Sequence, residues 1–63
     1  MKKTKAKIND QIEFVREGYL LIGLVESVRD NSVIVEISYD DASKLNYVNN
    51  KTVVSHSNYI VIE

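Results

Sequence analysis

His56, the one imidazole of this chain, stands between Ser55 and Ser57. Hydroxyl catalysis needs the base to face the hydroxyl and a third group to orient the base. Neighbours on a strand or tight turn point apart, so the expected role of His56 is local. Its ring should bond backbone carbonyls and fix the turn before Tyr59. Glu36, Asp40 and Asp41 are the densest carboxylates. A hard cation wants six or more oxygens from a shaped loop, and the spacing here is not that of such a loop. They read as a solvated acidic segment in which Asp40 or Asp41 caps one helical turn. With no cysteine and a single histidine, a disulfide framework is excluded and a structural zinc site is disfavoured. The expectation is a protein that is not an enzyme, with no catalytic residue, no metal and no cofactor.

Binding chemistry has better material. Tyr19, Tyr39, Tyr47 and Tyr59 are four of the five aromatic residues and fall at strand ends or in a loop. Aromatics at such positions can hold a peptide or stack on bases. Tyr39 and Tyr59 read as fillers of the core edge, with the hydroxyl in water. Tyr19 and Tyr47 read as exposed contacts. Ile34 joins them as an outward apolar residue on a polar strand face, which makes Tyr19, Ile34 and Tyr47 the candidate partner-binding patch. Four lysines, Lys2, Lys3, Lys5 and Lys7, form a basic arm that is the alternative candidate, for nucleic acid.

The elements that must position these residues are strands. Residues 8–15 alternate around Ile12 and Phe14, a half-buried pattern. Gly18 suits the positive φ of a turn at 16–18. Residues 19–28 form the longest strand, and its parity breaks: Val25 and Val28 both suit the core yet are three apart. A bulge near Glu26 or Ser27 would put both inside. A turn at 29–32 leads to a strand over 33–39 with Val33, Val35 and Ile37 inward. Residues 40–50 are an irregular or briefly helical insertion. Residues 51–55 form a fourth strand, 55–58 a tight 3₁₀-like connection, and 59–62 a fifth strand. Gly23 reads as the corner about which a barrel strand coils.

Composition sets the frame. Sixty-three residues, 44% of them hydrophobic, make one small domain. Such a chain buries only about 60% of its unfolded surface, so its margin is thin and a weak homodimer is as open as a monomer. The basic start lacks a following apolar stretch of signal-peptide length, and no apolar run is long enough to span a bilayer. The expected setting is cytoplasmic, away from membranes. Net charge is −1, but residues 8–63 carry four cations against nine anions, a net of −5. Affinity for nucleic acid comes largely from phosphate neutralisation, and an acidic body is poor at it.

Two blocks carry a family resemblance. Gly23-Leu24-Val25-Glu26-Ser27-Val28, followed by Asn31-Ser32-Val33-Ile34-Val35, resembles the glycine-centred core of KOW modules, which are SH3-like barrels. With Thr52-Val53-Val54-Ser55-His56, Tyr59 and Ile12-Glu13-Phe14, the whole is similar to a family of short bacterial cytosolic proteins of unknown function. The resemblance implies an SH3-like fold and no assigned catalytic residues. KOW modules more broadly contact RNA or other proteins in ribosomal proteins and transcription elongation factors.

The expectation is therefore an all-β, five-stranded SH3-like (KOW-like) barrel over residues 8–63, preceded by a flexible basic tail over 1–7. It should act as a binding module for a protein partner. The alternative is an RNA or ribonucleoprotein accessory in transcription or translation. Gly18, Gly23, His56 and Tyr59 are the expected structural residues.

Overall fold

A computed structural model describes residues 5–62. Five strands form one antiparallel sheet: β1 (Gln11–Arg16), β2 (Tyr19–Val28), β3 (Ser32–Glu36), β4 (Lys51–Ser55) and β5 (Tyr59–Ile62). Their spatial order is β4-β3-β2-β1-β5, so β1 is paired on both sides, by β2 and by β5. One short helix, α1 (Tyr39–Lys44), joins β3 to β4, and a single 3₁₀ turn (His56–Asn58) joins β4 to β5. No helix among the described residues is long and apolar enough to cross a membrane.

Local chemistry accounts for the joints. Glu17 and Gly18 both have positive φ, 52° and 83°, the geometry of the tight hairpin turn that matches strand twist. The β2–β3 register slips between Val25 and Ser27, which is the bulge that the parity break predicts. Val28 lands opposite the buried Val33, on the inner face, but at the strand end it stays partly exposed. The expected helical turn is present, yet its cap is Ser38, whose hydroxyl accepts from the Asp41 amide at 3.0 Å. Asp40 and Asp41 sit instead in the first turn, where the helix dipole favours negative charge. At the other end Asn46 takes φ 60°, while the Tyr47 and Asn46 amides bond the Ala42 and Ser43 carbonyls. That pairing is the Schellman closure, which satisfies carbonyls the helix would otherwise leave open.

The core lies on one face of the sheet. Ile12 and Phe14 of β1, Leu21 and Val25 of β2, Val33 and Val35 of β3, Val54 of β4 and Tyr59 of β5 are buried there. Ile37, Ala42 and Leu45 cover one end. Gly23 is the tightest point of β2. A Cβ on it would stand 2.9 Å from Val35 Cγ2 and 3.3 Å from Phe14 Cε1, so only a hydrogen leaves room for those two side chains to close over β2.

Two expectations need correction at the chain start. β1 begins at Gln11, because Asn9 adopts φ 78° and turns the chain. That turn is pinned to β2: the Asn9 amide donates to the Val25 carbonyl, and the Val25 amide donates to Asp10. The expected flexible tail does not reach Ala6, which is 2% exposed and whose amide donates to Tyr59 Oη at 3.0 Å. Lys5 and Lys7 are exposed; Lys2 and Lys3 lie outside the described residues.

Candidate functional site

The residues with catalytic potential are committed elsewhere. His56 Nε2 lies 2.8 Å from the Arg29 carbonyl, which can only accept, so that nitrogen carries the proton. In the neutral ring Nδ1 is then an acceptor, and Tyr59 Oη stands 2.8 Å from it as the donor. Tyr59 Oη in turn accepts from Ala6. A directed chain thus runs from the Ala6 amide through Tyr59 and His56 to the β2–β3 turn, where the His56 amide also donates to the Asn31 carbonyl. Both ring nitrogens are occupied, and neither faces Ser55 or Ser57, whose hydroxyls lie 3.2 Å from each other. The ring bonds one backbone carbonyl, that of Arg29 in the β2–β3 turn, and the Tyr59 hydroxyl, so it reaches further along the chain than the local role expected of it.

The carboxylates are likewise separate. Glu36 Oε2 accepts from Asn50 Nδ2 at 3.2 Å, and Asp41 Oδ1 lies 4.0 Å from Lys44. No group of three or more metal-ligating side chains converges among the described residues. Glu26, carried at the bulge, meets Lys51 at 2.6 Å. The hydrogen bond from Glu26, and then its charge, hold the Lys51 ammonium above the ordinary lysine range.

Of the tyrosines, Tyr59 fills the core edge, but its hydroxyl is bonded to Ala6 and His56 and not held in water as expected, and Tyr39 is 76% exposed and fills no core edge. Tyr39 is the first residue of α1, where its ring has no layer to pack beneath. Tyr19 is exposed and carries Lys44 Nζ 5.6 Å above its ring. Tyr47 is half-buried against the core, and its hydroxyl accepts from Arg16 Nη1 at 2.8 Å. The structure does not bring Tyr19, Ile34 and Tyr47 into one patch. Ile34 pairs with Ser27 and Val53, at the opposite end of β2 from Tyr19.

Sequence reasoning missed two features. The first is Arg16. It leaves the end of β1, passes 5.6 Å from the centre of the Phe14 ring, and reaches β4 with Nη1 2.8 Å from Thr52 Oγ1 and Nη2 2.9 Å from the Val53 carbonyl. It ties together two strands that the sheet order keeps three places apart. A lone arginine at a strand end announces nothing of this in sequence.

The second is the outer face of β2, β1 and β5. Register sets Leu20 beside Val15, then Ile22, Glu13 and Ile60 in one row, then Leu24, Gln11 and Ile62 in the next. Val15, Leu20, Ile22, Leu24 and Ile60 are 64%, 64%, 51%, 41% and 67% exposed. A groove of about 510 Å3 borders this face where β1 outruns β5, with Val15, Leu20, Ile60, Glu13 and Arg16 in its walls. A signal did exist: Leu20-Leu21-Ile22 is apolar in both parities, and a strand of that kind has no face meant for water.

These features define a small, mostly β domain with one five-stranded antiparallel sheet, one short helix and an apolar outer face. The chain belongs to the bacterial family DUF2187, described as an uncharacterized protein conserved in bacteria, whose pattern matches residues 4–62. It is similar to the uncharacterized protein YkvS of Bacillus subtilis (strain 168), with 42% identity over 57 residues, covering 90% of this chain and 88% of that protein. No solved structure matches.

Proposed function

We propose that this chain is an SH3-like, KOW-like barrel that works in the cytoplasm as a non-catalytic binding module, through protein–protein contacts on the outer face of β2, β1 and β5. The barrel reading is supported by the unbroken antiparallel order, the corner at Gly23, and the Arg16 strap drawn from β1 to β4. The contiguity of Val15, Leu20, Ile22, Leu24 and Ile60 carries the binding reading. Single exposed apolar residues are ordinary on a soluble protein, but a contiguous patch of several hundred Å2 marks an interaction surface. The acidic body favours a protein over RNA.

The test is capture from bacterial lysate with a tagged chain, with and without nuclease, set against an Ile22→Lys/Ile60→Lys variant. Both lysines would flank Glu13 in the same row, which suits the folded sheet. Proteins held by the wild type should survive nuclease and be lost from the folded variant. Captured material that disappears with nuclease would move the reading to RNA, and capture unchanged in the variant would remove this face from it.

A further inference from the structure

We infer that the occupant of the outer face is a second copy of this chain, packed sheet on sheet about a two-fold axis that runs along β1; this rests on the reading of that face as a docking surface. Size is the first argument. The five exposed apolar side chains present roughly 500 Å2, near the top of what the largest patch on a monomer reaches. With Ile62 and the stems of Gln11 and Glu13 the face comes to about 600 Å2, somewhat below the ~800 Å2 that each partner buries in a standard stable interface. An interface of that size fits a weak, concentration-dependent dimer.

Shape is the second argument. Two sheet faces stack about 10 Å apart when their outward side chains interdigitate, and neither needs a groove or a helix to do so. The apolar residues lie on both sides of β1: Leu20, Ile22 and Leu24 on β2, Ile60 and Ile62 on β5. A two-fold axis along β1 lays β2 of one protomer over β5 of its partner. Both apolar flanks are then covered by the same patch, as an isologous interface requires.

Charge does not drive this association but gives it a distinctive signature. Glu13 is half-buried in the middle row, on the strand that the axis follows. The axis brings each Glu13 close to its own copy, and like charges at close range oppose association. The dimer is therefore held weak at neutral pH by its own central residue. Glu13→Gln should lower the dimer dissociation constant several-fold.

Sedimentation velocity on the full chain from about 1 μM to about 1 mM, the range in which an interface of this size dissociates, is the test. The expected result is a rise from monomer toward twice the monomer mass, abolished in the Ile22→Lys/Ile60→Lys variant and shifted to lower concentration in Glu13→Gln. Amide shifts followed over the same range should move on β1, β2 and β5 and stay still on β4. A wild type that remains monomeric at the top concentration overturns the inference. If the lysine variant then also loses its lysate partners, the docking surface stands with another occupant; if it keeps them, both readings fall. A dimer that persists in the lysine variant, or is unmoved by Glu13→Gln, overturns the proposed face or its axis.

Discussion

The two faces of β2 are made of nearly the same residues and do opposite things. Leu21, Gly23 and Val25 point inward, and the first and last are almost wholly excluded from water. Leu20, Ile22 and Leu24 point outward and remain between two-fifths and two-thirds exposed. Hydrophobicity alone does not separate them, since leucine occurs in both sets. What separates them is close packing at Gly23, where Phe14 and Val35 crowd the inner side of β2 and nothing among the described residues crowds the outer side. The inner face is closed by the chain itself, and the outer face is not.

The sharpest way to break this comparison is to truncate neighbours. Leu21→Ala should cost about 2–5 kcal/mol by leaving a cavity in the core, a large part of the total for a domain this small. Leu20→Ala should change the stability of the dilute monomer by no more than about 0.5 kcal/mol. Urea denaturation at low protein concentration measures both, and equal losses would mean that the two faces are not different in kind. Next in size is Gly23→Ala. Its methyl group would meet Val35, a fully buried β-branched residue with little freedom to turn away. Overpacking of this kind costs about 1–3 kcal/mol, read from the denaturation midpoint. A neutral result would show that the sheet can open at its corner.

The smallest effect belongs to the polar margin of the sheet. Glu26→Gln removes the charge from a solvent-exposed pair with Lys51, so its loss should be slight and should shrink as salt is added. The sign with pH follows from the raised Lys51 ammonium. The contribution is complete while an unfolded lysine would still be charged, and it fades as pH climbs through the folded value. A stability difference between wild type and variant that grows in alkali would contradict this.

Much of the architecture was legible because strands write their period into the sequence. The bounds of β2, β4 and β5 follow from apolar runs ended by turn residues, and the bulge follows from the mismatch of Val25 with Val28. The inward set Val33, Val35 and Ile37 follows from alternation. Decisions made by distant contacts were not legible. Ser38 and Asp40 are both good caps, and the chain leaving β3 selects Ser38. The first strand starts only at Gln11 because the turn at Asn9 is held by the Val25 carbonyl, which receives its amide. Tyr39 and Tyr47 exchange roles because a helix start offers nothing to pack on, while Arg16 arrives from 31 residues away to hold the second. The outer face was hidden by its resemblance to the inner one. An apolar residue reads as core until register shows how many sides the core has.

The chain of bonds from Ala6 through Tyr59 to His56 bears on the order of folding. Ala6 and Tyr59 are 53 positions apart, and β1 between them needs β5 as its second neighbour. The β1–β2 hairpin and the pairing of β3 with β2 close on local partners. The far edge of β1 and the amide of Ala6 wait for Tyr59 to arrive. Sequence-distant pairing of this kind slows folding, because the loop must close before its contacts repay the lost entropy. Ala6 is thus among the last residues to be secured, by a hydroxyl that reaches it from the last strand.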